Sequence, residues 1–165
     1  MTRRNDAPDF RAAVYAGIVA GALATLVQMA LWSTFTDALP AILFRDARFA
    51  AALLLGRGVL PPPASFDAWV ILVATFVHFA LSIAYGLVLA PVIARLSTRL
   101  SLLAGAGFGL GLYIVNLHGF TAIFPWFEES RDWIAMVAHV AFGLVAAGTY
   151  RMLGHRRSAR TRRDR

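Results

Sequence analysis

Charged residues are distributed along this chain so that four long intervals contain none: Ala12 to Thr36, Ala68 to Ala94, Leu100 to Phe127 and Trp133 to Tyr150. Each is close to or longer than the roughly 20 apolar residues that cross the hydrocarbon core of a bilayer. A helix satisfies its own backbone hydrogen bonds in lipid, so helices are the expected solution. The pattern predicts an all-α integral membrane four-helix bundle. It forms one transmembrane domain over residues 1–165, with spans at about 12–36, 68–94, 100–124 and 133–152 and a basic tail at 153–165. The first interval is longer than the apolar core of a signal peptide, and no small-residue cleavage site follows it. It is therefore expected to remain as an anchor.

The stretch between the first two spans, "PAILFRDARFAAALLLGRGVLPPPASFD", breaks the pattern. Phe49 to Gly56 is apolar but too short to cross. Helix-forming residues around Arg45, Asp46 and Arg48 predict an interfacial helix in the first outer loop. Gly56 and Gly58 should end it, and Pro61 to Pro63 should form a stiff extended strut into the second span. Such a helix serves as a brace or lid on the bundle, or as a substrate gate.

Composition agrees with the spacing. Hydrophobic residues make up 59% of the 165 positions, charged residues only 15%, and the mean hydropathy is +0.64. Ordinary globular domains carry about a quarter charged residues. There is no cysteine, which excludes disulfides, iron–sulfur clusters and thiolate metal sites. The net charge of +7 does not point to nucleic acid, because seven of the arginines lie in "RMLGHRRSARTRRDR", directly after an apolar segment. A basic run in that place anchors a membrane protein to the anionic cytoplasmic leaflet. With both termini cytoplasmic, the inner side carries Arg3, Arg4, Arg11, Arg95, Arg99 and the tail. The outer side pairs Arg45, Arg48, Arg57 and Arg131 with six carboxylates. That arrangement satisfies the positive-inside rule at every loop and predicts a multi-pass protein of a bacterial inner membrane, its main partner the lipid bilayer.

The spans also resemble one another. "AGIVAGALATLVQM" from Ala16 aligns without gaps on "AGAGFGLGLYIVNL" from Ala104, and "ATFVHFALS" from Ala74 aligns on "AMVAHVAFG" from Ala135. Gln28 then matches Asn116, His78 matches His139, and Ser82 matches Gly143. Chain order is preserved, so the expectation is two related helical hairpins about an axis along the membrane normal. Gly17 and Gly21, Gly105 and Gly109, and Gly86 and Gly143 fall on stripes of small residues that let helices approach closely in lipid.

Those stripes also carry the polar groups. By their distance from Asp67 and Asp132, His78 and His139 lie at similar depth, in the same outer half as Gln28 and Asn116. The expected picture is a buried polar layer of two imidazoles and two amides, joined by Ser82. His118 lies about 200° around the helix from Asn116, so three histidines do not converge as a zinc site requires; no metal ligand set is assigned. Three readings follow. In the first, neutral imidazoles bond to Gln28 or Asn116 across helices and fix their register, as suits a structural or accessory protein in a homo-oligomer or larger membrane complex. In the second, His78 and His139 are cofactor-binding residues, the axial ligands of a b-type haem or of a metal ion, with Ser82, Gly86, Gly143 and Ala147 leaving room for a flat macrocycle. In the third, they mark a path for a proton or small solute, although no Asp or Glu lies inside a span. No nucleophile elbow, carboxylate pair or phosphate loop suggests an enzyme.

The segment "AGIVAGALATLVQMALWSTFTDALPAILFRDARFAAALLLG", together with "HFALSIAYG", resembles a family of small proteobacterial inner-membrane proteins, some carrying the label sodium:proline symporter. The resemblance covers most of the chain. It implies an inner-membrane helical protein and transfers no binding residues.

Overall fold

The computed structural model describes residues 8–163, with side chains to Gly154. Arg3 and Arg4 lie outside the described residues, as do the side chains of the basic tail. Five α-helices follow in order: α1 (Phe10–Phe35), α2 (Ala41–Leu55), α3 (Ala68–Ile93), α4 (Thr98–Ile114) and α5 (Trp133–Arg163). The described residues contain no strand. Four segments are long and apolar enough to cross a membrane: Phe10–Phe35, Ala68–Ile93, Thr98–Ala122 and Trp133–Gly154.

Each of these begins where the sequence supplies an N-cap. Asp9 accepts from the backbone of Arg11 and Ala12, Asp67 from Trp69 and Val70, Ser97 from Leu100, and Asp132 from Ala135. The charged or hydroxyl residue that bounds an apolar interval is thus also the group that satisfies its first free N–H groups. Helix α5 does not stop at residue 152 but runs on through the described part of the tail to Arg163.

The helices pack antiparallel. The Asp9 backbone N–H donates to the Tyr150 hydroxyl (3.0 Å), which brings the start of α1 to the end of the α5 span. At the opposite end the rings of Phe35 and Trp133 meet edge to face at 5.2 Å. α5 packs along both α1 and α4, α1 packs along α3, and α3 and α4 touch only sparsely. The main core is small and aliphatic: Ala13, Ala16, Ala20, Leu89, Ala90, Ile93, Ala146 and Ala147. Large apolar side chains point the other way, with Tyr15, Leu26, Phe76 and Leu103 each about 60–70% exposed. This is the reverse of a water-soluble helix bundle.

Helix α2 forms in the loop where the sequence predicts it, and Gly56, at φ +77°, ends it in the left-handed region that favours glycine. Its Ala47, Ala50, Ala51 and Leu53 pack on Val70, Val73, Ala74 and Val77 of α3. It is further tied to the 125–130 turn: Trp126 Nε1 donates to the Phe49 carbonyl (3.1 Å), and Ser130 Oγ donates to Asp46 Oδ1 (3.2 Å). The proline segment is not the straight strut expected, since the chain bends at 61–62.

The third span ends in a feature absent from the sequence reading. Val115–Gly119 forms a π-turn, followed by 3-10 turns at Phe120–Ala122 and Pro125–Ser130. One extra residue per turn leaves carbonyls without their usual partners. Arg131 supplies one, its guanidinium donating to the Leu117 carbonyl, and it also donates to the Thr121 hydroxyl.

Candidate functional site

The small-residue stripes bring backbones together, as their spacing predicts. A Cβ on Gly17 would lie 2.5 Å from the Ser82 carbonyl oxygen, and one on Gly86 2.7 Å from that of Ala13. Gly21 faces Ser82 Oγ and the His78 ring. In the other pair Gly105 meets the Gly143 carbonyl, Gly143 meets that of Gly105, and Gly109 meets the carbonyl of His139. All six glycines therefore lie at helix–helix contacts.

These contacts orient the polar residues. His139 Nδ1 is 2.8 Å from the Ala135 carbonyl, which can only accept, so Nδ1 carries the proton. In the neutral ring Nε2 is then the acceptor, and Asn116 Nδ2 stands 3.5 Å from it. Asn116 Oδ1 in turn accepts from the Tyr85 hydroxyl at 2.9 Å. Donors thus run in one direction from α3 through α4 to α5. A second, shorter chain joins α3 to α1: His78 Nε2 lies 3.3 Å from Thr25 Oγ1, which donates to the Gly21 carbonyl at 3.0 Å.

Both chains open on one cavity of about 520 Å³. Gln28, His78, Ser82, Asn116 and His139 all line it, so the expected polar layer shares one compartment. Within it Ser82 is buried, and among the described residues Gln28 makes no hydrogen bond. Most of the wall is apolar: Leu81, Leu112, Leu117, Phe120 and Phe142 among others. Asp46, Ala50 and Leu53 of α2 and Phe124, Phe127 and Ser130 of the connection between α4 and α5 line it as well. The brace helix is therefore also a wall of the site. Burial pushes the Asp46 carboxyl above the usual carboxylate range, against the pull of Arg45 and the hydrogen bond from Ser130. His118 takes no part; it is exposed, and its ring meets Tyr113 at 5.5 Å.

Haem does not fit these residues. Axial ligation needs both imidazole Nε2 atoms to face one iron from opposite sides. Here they face Thr25 on α1 and Asn116 in the π-turn that follows α4. Of the residues expected to leave room, Ser82 lines the cavity, but Gly86 lies against Ala13 and Gly17, and Gly143 and Ala147 against Gly105. Nor do three His, Asp or Glu residues come together as a metal site among the described residues.

The sequence reading missed Thr25, Tyr85 and Asp46. Tyr85 is seven residues after His78 and Thr25 four after Gly21, so helical spacing alone could have placed both on the polar stripes. Asp46 had no such signal, because its place depends on how α2 docks. No protein-family model, curated protein or solved structure matches this chain.

Proposed function

We propose that this chain is a multi-pass inner-membrane protein that holds a small, largely apolar molecule between its helices, as an accessory or carrier component. The observation that carries the reading is the cavity. Its 520 Å³ lie between the helices and are partly open to the surroundings, room for a small molecule that can enter and leave. Water is a poor filler, because most of the wall offers it no partner. The polar layer gives a ligand a few fixed hydrogen-bonding points in an apolar pocket, the usual make-up of a small-molecule site. The sparse contact between α3 and α4 leaves a flank through which such a molecule could enter from the bilayer.

The membrane setting rests on the four apolar segments and on the positive-inside count, which puts both termini in the cytoplasm. The two-hairpin origin is supported by matched packing: Gly17 against Ser82 in one pair answers Gly105 against Gly143 in the other. A second reading, that the imidazoles serve only to fix helix register, is favoured by the bonds from His78 to α1 and from His139 to α4.

Native mass spectrometry of the purified chain tests the first against the second. A bound small molecule is expected on the wild-type protein and not on Ala138→Phe, which places a ring in the cavity. A bare chain in both, with the filled variant the more stable, would leave only the register role.

A further inference from the structure

We infer that the ligand of the cavity is an organic ammonium, a cationic nitrogen on an apolar body; this rests on the ligand-binding reading above. The charges at the α2 end of the cavity select that sign. Arg45 pairs with Asp46 at 2.9 Å and is shared with Glu129 at 4.0 Å. Asp132 acts on Asp46 as a third carboxylate. The neighbouring Arg131 is already engaged, by Glu128 at 3.3 Å and by the π-turn. Arg48, on the same helix, donates to the Val59 and Ser65 carbonyls instead, and no Arg lines the cavity itself.

Asp46 shows where the missing charge belongs. Arg45 Nε, Arg45 Nη2 and Ser130 Oγ all donate to its Oδ1, at 3.0, 2.9 and 3.2 Å. Oδ2 receives none of these bonds. Asp46 is also the one carboxylate that lines the cavity, so it is the anionic group within reach of a ligand there. The remaining wall suits the same chemistry. Tyr85, Phe120, Phe124, Phe127 and Phe142 line it, and aromatic faces attract cations most strongly where water is excluded. An anion would be repelled by Asp46, and a neutral ligand would leave that carboxylate against an apolar body. A cation meets both demands, and a nearby positive charge also holds the carboxyl in its ionised form against the effect of burial.

Two isosteric probes test this on the full chain in detergent micelles: phenyltrimethylammonium, and tert-butylbenzene, which replaces the nitrogen by carbon. Binding is read by equilibrium dialysis against protein-free micelles. The ammonium is expected to bind about ten-fold tighter or better, the scale of a desolvated cation–π contact joined to a carboxylate. Asp46→Asn should remove that preference while leaving the neutral probe unchanged. Any smaller ratio in the wild-type chain, or a preference that survives in Asp46→Asn, overturns the inference. Equal binding of the two would leave the cavity as a site for neutral ligands. Uptake of neither, above protein-free micelles, would instead end the ligand-binding reading. Because the isosteres are compared on the unaltered protein, the result stands even if the variant fails to fold.

Discussion

The pairs α1–α3 and α4–α5 use the same stripe of small residues but close to different distances. At every matched position a Cβ has less room in the second pair: Gly105 is tighter than Gly17, Gly109 than Gly21, and Gly143 tighter than any glycine of the first pair. One difference in the aligned pattern lies at this contact. Ser82 stands where the second pair has Gly143, and its Cβ and Oγ hold α1 away at Gly21. The closer approach places His139 over Gly109, with Nε2 toward Asn116, whereas the wider one leaves His78 to reach Thr25.

The largest expected effect comes from reversing that distinction at matched glycines. Gly109→Ala forces a methyl group into the His139 backbone, which cannot move aside without parting the helices. Gly21→Ala meets the Ser82 side chain, Oγ at 2.6 Å and Cβ at 3.0 Å, rather than backbone. Reversible unfolding in mixed micelles should therefore show a loss of more than about 3 kcal/mol for Gly109→Ala and about 1 kcal/mol for Gly21→Ala. Equal losses would mean that the two pairs are packed alike.

Next in size is the coupling within the relay of Tyr85, Asn116 and His139. Hydrogen bonds between helices in membranes contribute about 0.6–2 kcal/mol. A double-mutant cycle between Tyr85→Phe and Asn116→Leu should return a coupling in that range. The same cycle between His78→Ala and Asn116→Leu should return less than about 0.5 kcal/mol, the limit for independent sites, because His78 bonds to the other helix pair. A strong coupling in the second cycle would merge the two chains into one network.

These contrasts also show where the sequence was legible and where it was not. The four long helices, their caps and the small-residue contacts follow from local rules: apolar length, a capping side chain at its start, and glycine where backbones meet. Those rules act within one helix turn, so Asp67, Gly56 and Gly105 announce themselves. The cavity and its outer wall depend instead on docking. Nothing near Asp46 in sequence states that Ser130 and Arg45 will share its Oδ1. The π-turn was equally hidden, since its support comes from Arg131, beyond the end of the span. The same limit explains the haem expectation. Small residues at His78 and His139 spacing read as free space in one dimension, but in three dimensions they are the seats of other helices.

Asp46 offers a pH-dependent contrast between the two pairs, because α2 is inserted only in the first. In the unfolded chain its carboxyl titrates near 3.8, and in the fold the value is raised by burial. The folded state therefore holds the proton more tightly. The stabilisation this brings is complete below the unfolded value and is lost as pH rises through the folded one. Melting temperature measured across the acidic range should fall with rising pH more steeply in the wild-type chain than in Asp46→Asn. Parallel curves would show that the carboxyl is no less at ease in the fold than in water.

The smallest expected effect separates Gln28 from Asn116, the residues that the sequence alignment sets opposite each other. Both carboxamides line the cavity, but only Asn116 is built into the relay, with Tyr85 on one side and His139 on the other. Replacing Asn116 by leucine strands two polar partners in an apolar wall, which calls for about 1–3 kcal/mol. Replacing Gln28 by leucine strands none, and the change should stay within about 0.5 kcal/mol. A carboxamide that contributes nothing to the fold yet lies in a mostly apolar cavity is free to bond a ligand, so Gln28→Leu should weaken binding while leaving the unfolding curve in place. If it lowered stability as much as Asn116→Leu, the two halves would be equivalent in energy as well as in sequence, and the polar layer would belong wholly to the bundle.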